Sequence, residues 1–419
     1  MLIVILFFLC LWLTALTVLW FWKKPLFIAT WREPYFAETP VLIESDDWGP
    51  GGDYQAERLR NLLGSLATTR DSRGRCAVLT ADVVLAVPDV AKIQDDADNR
   101  YFRKRLDTDF PEIFEAMRSG MTQGTFVPQL HGLEHLNGEA FAKLLGDGDS
   151  RLNDARAHAD WWDWESLDSP LQGHYVDGSQ LPTTPIAENK ARDIVETAGR
   201  LFIEMFGQPT LTTVAPCYLW GDAIEACWRE QRITAIQTAG YRCLGRDGNG
   251  KYFADPTLIR CGERNRYDQV YLVRNVMFEP TDGKHTPDSA YAEALAACRQ
   301  ALPLTISTHK YNFTRSDTQC RDSIAGLQQL LSRICTTLPH VRFLASPELA
   351  EWLNGNRNEI TNRFNGETWQ GLSQASQYRK VGAFLYRLYY RHPKLAWIAY
   401  LSGLIFPAWF VCATSTRDS

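Results

Sequence analysis

The chain has 419 residues, 45% of them hydrophobic and 22% charged, an ordinary balance for a folded protein of one large or two average domains. A net charge of −5 gives no reason to expect a nucleic-acid partner. The ten cysteines form no CxxC pair and no regular spacing, which excludes a zinc ribbon or disulfide framework and points to reduced thiols in a reducing compartment.

Residues 1–22 carry no charged side chain. At helical rise they span roughly 33 Å, enough to cross a bilayer. A secretory signal would need a basic start and a small-residue cleavage site, and neither is present. Lys23 and Lys24 follow this predicted transmembrane helix and no basic residue precedes it, which places the following domain on the cytoplasmic side of an inner membrane.

Residues 34–353 are predicted to form one α/β domain. Apolar, β-branched runs recur at 41–45, 77–86, 125–130, 211–215, 232–237, 270–278, 303–308 and 341–345. Helix-like segments lie between most of them, among them 188–206, 221–231, 288–301 and 318–336. Strands alternating with helices imply a parallel sheet, and about seven to eight strands over this length favour a distorted (β/α) barrel. Residues 146–187, rich in Asp, Gly, Trp and Pro, read as a long loop or insertion. Residues 354–394 read as a polar linker followed by "RKVGAFLYRLYYRHPK", a basic and aromatic segment without an acid that suits an anionic membrane surface. Residues 395–413 are a second apolar candidate, transmembrane or membrane-associated, with Pro407 inside it.

The reactive residues cluster at strand ends. Asp46 and Asp47 follow the first run, His131 and His135 follow "TFVPQL", "PCY" (216–218) follows "LTTVA", and His309 follows "PLTIST". In a parallel barrel the C-terminal ends of the strands are where active sites are built. "HGLEH" places His131 and His135 four residues apart, a spacing that suits one metal ion, and Asp47 would add an oxygen ligand and leave positions open for water. The same residues spell the H-x-x-E-H motif of some zinc proteases, with Glu134 as base. That motif needs a continuous helix, whereas Pro128 precedes it and Asn137 reads as the N-cap of a new helix; the protease remains a minor alternative.

"ESDDWG", "PQLHGLEHLN", "APCYLWGD" and "STHKYNF", in this order, resemble the polysaccharide deacetylase superfamily, closest to a bacterial branch found with surface-polysaccharide genes. "AVPDVAKI", "RNVMFEP" and "FLASPEL" extend the resemblance over roughly residues 41–353. It implies a distorted (β/α) barrel that removes acetyl groups from N-acetylated sugars with a divalent metal, commonly zinc. It implies Asp46 as general base, His309 as general acid, and Asp47, His131 and His135 as metal ligands. Two positions depart from the pattern: Gly132 stands where a serine or threonine is usual, and Val214 where an arginine normally orients the base. Arg274 is a candidate to stand in for that arginine. Pro216, Tyr218 and Glu134 are further candidates for substrate-binding or supporting positions, and Glu134 and Glu279 for groups that orient ligands.

The remaining features have plainer readings. Trp161, Trp162 and Trp164 are aromatic packing before they are a sugar platform. His158, His174, His285 and His340 show no ligand spacing. The expected function is a membrane-anchored deacetylase acting on a nucleotide-linked, lipid-linked or polymeric acetylated sugar, with polysaccharide assembly machinery as a possible partner. The alternative is a catalytically weak relative that binds glycan or scaffolds such machinery, which Val214 and Gly132 favour.

Overall fold

β1 (Thr39–Trp48) is buried along its whole length, as the central strand of a parallel sheet covered on both faces should be. The computed structural model describes residues 1–98, 100–158, 161–406 and 408–410. The other sheet strands are β2 (Leu79–Val83), β3 (Phe126–Leu130), β4 (Thr212–Thr213), β5 (Ala235–Thr238), β6 (Val270–Val273), β7 (Val276–Met277), β8 (Leu304–His309) and β9 (Val341–Phe343). All pair in parallel, in the spatial order β6-β5-β4-β3-β2-β1-β8-β7, with β9 beside the first residues of β1.

The two outer members of that path, β6 and β7, are consecutive in the chain, with only Arg274 and Asn275 between them. Backbone bonds bridge the seam. Arg274 N–H donates to Thr238 O on β5 at 2.9 Å, and Asn275 N–H donates to Thr305 O on β8 at 3.2 Å. One kinked segment thus serves both edges, and the sheet is the distorted (β/α) barrel predicted.

The helices that flank the sheet and join it to the chain ends include α1 (Leu2–Arg32), α2 (Tyr54–Thr68), α3 (Pro111–Gln123), α4 (Glu188–Phe206), α5 (Asp222–Glu230), α6 (Pro287–Arg299), α7 (Asp317–Thr337), α8 (Ser346–Leu353), α9 (Gln377–Arg391) and α10 (Pro393–Leu401). Helices α2 to α7 connect successive strands, except between β5 and β7, where residues 239–269 form an irregular loop with a short hairpin of Cys243–Arg246 and Tyr252–Ala254. Local signals set the helix ends. Gly207 stops α4 in the left-handed region at φ 75°, and the Ser316 side chain caps the start of α7. The core lies between the sheet and this helical layer, with Val41, Ile43, Leu79 and Ala81 facing buried positions such as Leu59, Leu62 and Leu327.

Residues 146–187 are irregular, as expected, with short helical turns and one two-residue strand pair. Residues 354–378 are not a free linker. Glu359–Thr361 and Thr368–Gln370 form a hairpin, and Ile360 and Leu372 are buried in a cluster with Leu42 and Trp352. Polar composition hid two apolar anchors spaced too far apart to look periodic. Nor is the basic segment only a solvated or lipid-facing surface. Arg387 of α9 is fully buried and donates to the carbonyls of Thr30 (3.3 Å), Pro34 (2.6 Å) and Gln300 (2.8 Å).

Among the described residues α1 is the one helix long and apolar enough to cross a bilayer, and most of residues 2–22 are exposed. The second candidate, 395–413, is not one continuous helix. α10 has nine residues and ends at Ser402, with Gly403 following at φ 75°. At that length it rises about 14 Å, less than half a bilayer core. Pro407 and residues 411–413 lie outside the described residues.

Candidate active site

In a regular strand successive side chains point to opposite faces, so two adjacent aspartates cannot both reach one site. β1 breaks that alternation. Its register against β2 shifts between Ser45 and Trp48, and Asp47 adopts φ 71°, in the left-handed region that an L-residue avoids. The bulge brings both carboxyls to the C-terminal mouth of the barrel. Asp46 lies level with His309 on the neighbouring β8.

Asp47 Oδ1 lies 3.3 Å from His131 Nε2 and 3.3 Å from His135 Nε2, and all three ligand atoms fall within 4.8 Å of one another. Both rings are held from behind. His131 Nδ1 faces the Val214 carbonyl at 3.0 Å, and His135 Nδ1 faces Gln172 Oε1 at 2.6 Å. Gln172 has no freedom to flip, because its Nε2 donates to the carbonyls of Trp164 (3.0 Å) and Leu167 (3.2 Å). Each Nδ1 therefore carries the proton, and each Nε2 turns a lone pair towards Asp47. Burial pushes the His135 imidazole down to about 4, outweighing the pull of Asp47 in the other direction. Asp47 Oδ1 is buried without a hydrogen-bond donor. Two lone pairs and an anionic oxygen converging with no proton between them fit a divalent cation.

Asp46 is held by a different partner. Arg274, at the seam of the barrel, grips it with both terminal nitrogens at 2.6 Å. The same guanidinium reaches Glu44 Oε2 (2.7 Å), Asp82 Oδ2 (3.0 Å) and the Tyr218 hydroxyl (3.0 Å), and its side chain has no exposed surface. Burial raises the Asp46 carboxyl, yet the Arg274 charge and hydrogen bonds hold it well below the usual range, so it stays ionised. Asp82 goes the other way. Burial, then the charge of Asp46, drives its carboxyl well above the usual range. Arg274 thus supplies the positive charge beside Asp46. Val214 instead contributes its carbonyl to His131.

His309 Nε2 points towards Asp46 Oδ2 at 3.9 Å, while its Nδ1 is bonded to Glu279 Oε1 at 2.6 Å. Burial opposes the charged imidazole, but Glu279 and then Asp46 and Asp47 raise it to about 10. Glu279 is itself oriented by Asn312.

Asp46, Asp47, His131, His135, Tyr218 and His309 line one cavity of about 560 Å³. Arg274 stands behind Asp46, outside the cavity wall. Pro216 is buried in the turn of "PCY", where Cys217 and Tyr218 both take positive φ. Glu134 does not face this cavity. It bonds to the Tyr101 hydroxyl (3.0 Å) and Arg103 (2.8 Å) and lines a separate cavity with His174; burial pushes it up to about 7. Residues 131–135 form no helix, so the protease geometry is absent. Gly132, at φ 80°, has a structural reason. A Cβ there would come within 2.7 Å of the Glu134 carbonyl oxygen. Trp162 stacks on Phe141 and Trp161 packs edge-on against Phe110; Trp164 is buried against His135.

Sequence reading missed Asp82, Glu44 and Gln172. Asp82 had a signal of the kind that marked Asp46, an acid inside an otherwise apolar strand. Gln172 had none, because it comes from the irregular 146–187 segment.

No protein-family model matches the sequence, and no curated protein matches it. Solved structures with a similar layout include a family 4 carbohydrate esterase from Streptomyces lividans in complex with acetate (9% identity, TM-score 0.35, covering 75% of this chain and 96% of that one). The Bc1960 peptidoglycan N-acetylglucosamine deacetylase is similar at 11% identity and TM-score 0.37, covering 75% and 89%. A CE4 family pseudoenzyme from Bacillus anthracis is similar at 7% and 0.35, covering 75% and 66%. Likeness at this level leaves function to be decided by the site itself.

Proposed function

We propose that the chain is a metal-dependent deacetylase that hydrolyses an acetyl group, an N-acetyl in the first instance, from a sugar of a polysaccharide or its membrane-linked precursor, and that it is a member of the polysaccharide deacetylase superfamily. One observation carries the reading: an ionised Asp46 and a protonated His309 sit level on adjacent strands, on the rim of a cavity that also presents Asp47, His131 and His135. Amide hydrolysis needs a base for the water and an acid for the amine, in that proximity.

Asp47, His131 and His135 would hold the cation, with zinc suited to this nitrogen and oxygen set, and it would supply Lewis acidity towards the acetyl carbonyl and the water. Asp46 accepts the proton of the attacking water; Arg274 keeps it ionised and aimed. His309 gives its Nε2 proton to the departing amine, and Glu279 keeps that proton in place until then. Tyr218 fixes Arg274 from the cavity side. The helix α1 anchors the barrel in the inner membrane with its cytoplasmic face at the substrate, a reading supported by Lys23 and Lys24 after the apolar stretch and by the free cysteines of the barrel.

The strong depression of Asp46 favours a second reading, a weak or inactive glycan-binding relative, since a less basic carboxylate is a poorer base. Acetate release from a panel of acetylated nucleotide sugars and lipid-linked sugars decides between them. Release that a chelator abolishes and zinc restores is the expected result. A fully metal-loaded protein that releases none from any member of the panel overturns the enzymatic reading.

A further inference from the structure

A second concave feature, separate from the barrel mouth, lies where α1 meets the barrel. A cavity of about 1100 Å³ is walled by the last two turns of α1, residues 260–264 of the loop that precedes β6, the end of α8 and the start of α9. Lys24, Arg32, Arg260, Arg357 and Lys380 line it, and among the described residues none of these five cations has a carboxylate within 4 Å. Two carboxylates share the wall, fewer than its cations, so its net charge is positive. Glu33 is bonded to Arg391, and Glu263 accepts from the Arg260 backbone N–H. Uncompensated charge of one sign around a concavity raises the local concentration of the opposite ion.

The wall is not only cationic. Ile28 and Leu353 contribute apolar surface, and Trp31, only 2% exposed, has its indole Nε1 without a hydrogen-bond partner among the described residues. Lys380 lies over the Trp31 ring at 4.5 Å. A buried indole N–H left unpaired beside an open cationic cavity is a donor waiting for an acceptor.

Depth supplies the third argument. Lys24 and Ile28 follow the uncharged stretch of residues 1–22 by two and six positions, about 3 and 9 Å along an upright helix. That is the headgroup layer of a bilayer whose hydrocarbon core the stretch fills. We infer that this cavity binds the phosphate of an anionic membrane phospholipid, with the acyl chains running along α1 into the bilayer. The inference rests on α1 lying in a membrane, and not on the chemistry assigned to the barrel mouth.

The test uses the full chain in a neutral detergent, with thermal unfolding as readout. Short-chain phosphatidylglycerol, short-chain phosphatidylcholine and inorganic phosphate are titrated in separate arms. Phosphatidylglycerol should raise the melting temperature saturably and the other two should not. Arg260→Gln with Arg357→Gln should weaken that response at least about tenfold, and Lys24→Gln with Arg32→Gln, on a different wall, should do the same. Neither pair breaks an ion pair, so the unliganded melting temperature and the metal content should match the unsubstituted protein. Equal responses to the two lipids, or both double variants responding like the parent, overturn the inference. A phosphate response equal to that of the lipid also overturns it, by making the cavity a free-anion site. A chain that binds no metal yet passes this test would count against the deacetylase and leave the lipid site standing.

Discussion

Asp46 and Asp47 are chemically alike, and only position divides their work. Asp47 faces two imidazole lone pairs, whereas Asp46 faces a guanidinium. Asp47→Asn should therefore empty the metal site, as read by elemental analysis. Asp46→Asn should keep the metal and the fold while kcat falls about 10²–10⁴-fold, the usual worth of a placed base. If Asp46→Asn loses the metal and Asp47→Asn keeps it, the two assignments are reversed. His309 carries a second test. Its imidazole must be protonated to act as the acid, so activity falls as pH rises through its pKa. Glu279 is the main group raising that pKa, although a cation beside Asp47 would draw it partly back down. Glu279→Gln should move the alkaline limb of kcat/KM to lower pH by about 1–3 units, with metal content unchanged. An unmoved limb would mean that another group is the acid. At this scale the sequence was readable where chemistry and motif coincide: the two aspartates and three histidines stand at strand ends and repeat a known order. Asp82 and Gln172 escaped because each acts through a partner more than 30 residues away, and no local pattern encodes that pairing.

The turn after β3 shows how a single element sets ligand geometry. His131 and His135 are brought together by a tight, non-helical turn, and Gly132 at φ 80° is its pivot. Gly132→Ala should cost about 1–3 kcal/mol, because the new methyl group adds backbone strain and crowds the Glu134 carbonyl. Chemical denaturation checks that cost, and metal affinity should fall with it, since the turn carries two of the three ligands. A variant as stable and as metal-loaded as the parent would show that the turn is not the constraint. Helix and strand positions were legible because apolar runs and capping residues are local: the segments read as 188–206 and 318–336 are α4 and α7 almost to the residue. The hairpin at 359–370 was not legible, since two anchors, Ile360 and Leu372, do its packing and polar residues surround them.

For the whole molecule, the question is how the anchor joins the barrel. Phe27 and Trp31 of α1 are buried among Phe384 and Leu388 of α9 and Ala396 and Ala399 of α10, while Leu16, Leu19 and Trp20 are only partly covered. Deleting residues 1–22 should give a chain that stays monomeric without detergent and keeps its metal. Deleting residues 1–32 also removes Phe27 and Trp31, at about 3–5 kcal/mol for each large buried aromatic, and should aggregate. Size-exclusion chromatography distinguishes the two. A 1–22 deletion that still needs detergent would show that α9 and α10 hold the membrane by themselves. The apolar stretch was plain in the sequence, but its attachment was not, because Arg387 reads as one more basic residue in a basic segment. In the fold it is the bolt. Its guanidinium ties Thr30 of α1, and Pro34 just beyond that helix, to α9 and to Gln300 at the end of α6, the helix that leads into β8 and so to His309. A flexible tether would let the barrel tumble and sample sugars at any height above the lipid. Under the proposed function, a bolted bracket instead holds the mouth at one height and one bearing, so that substrate is selected by reach before it is selected by chemistry.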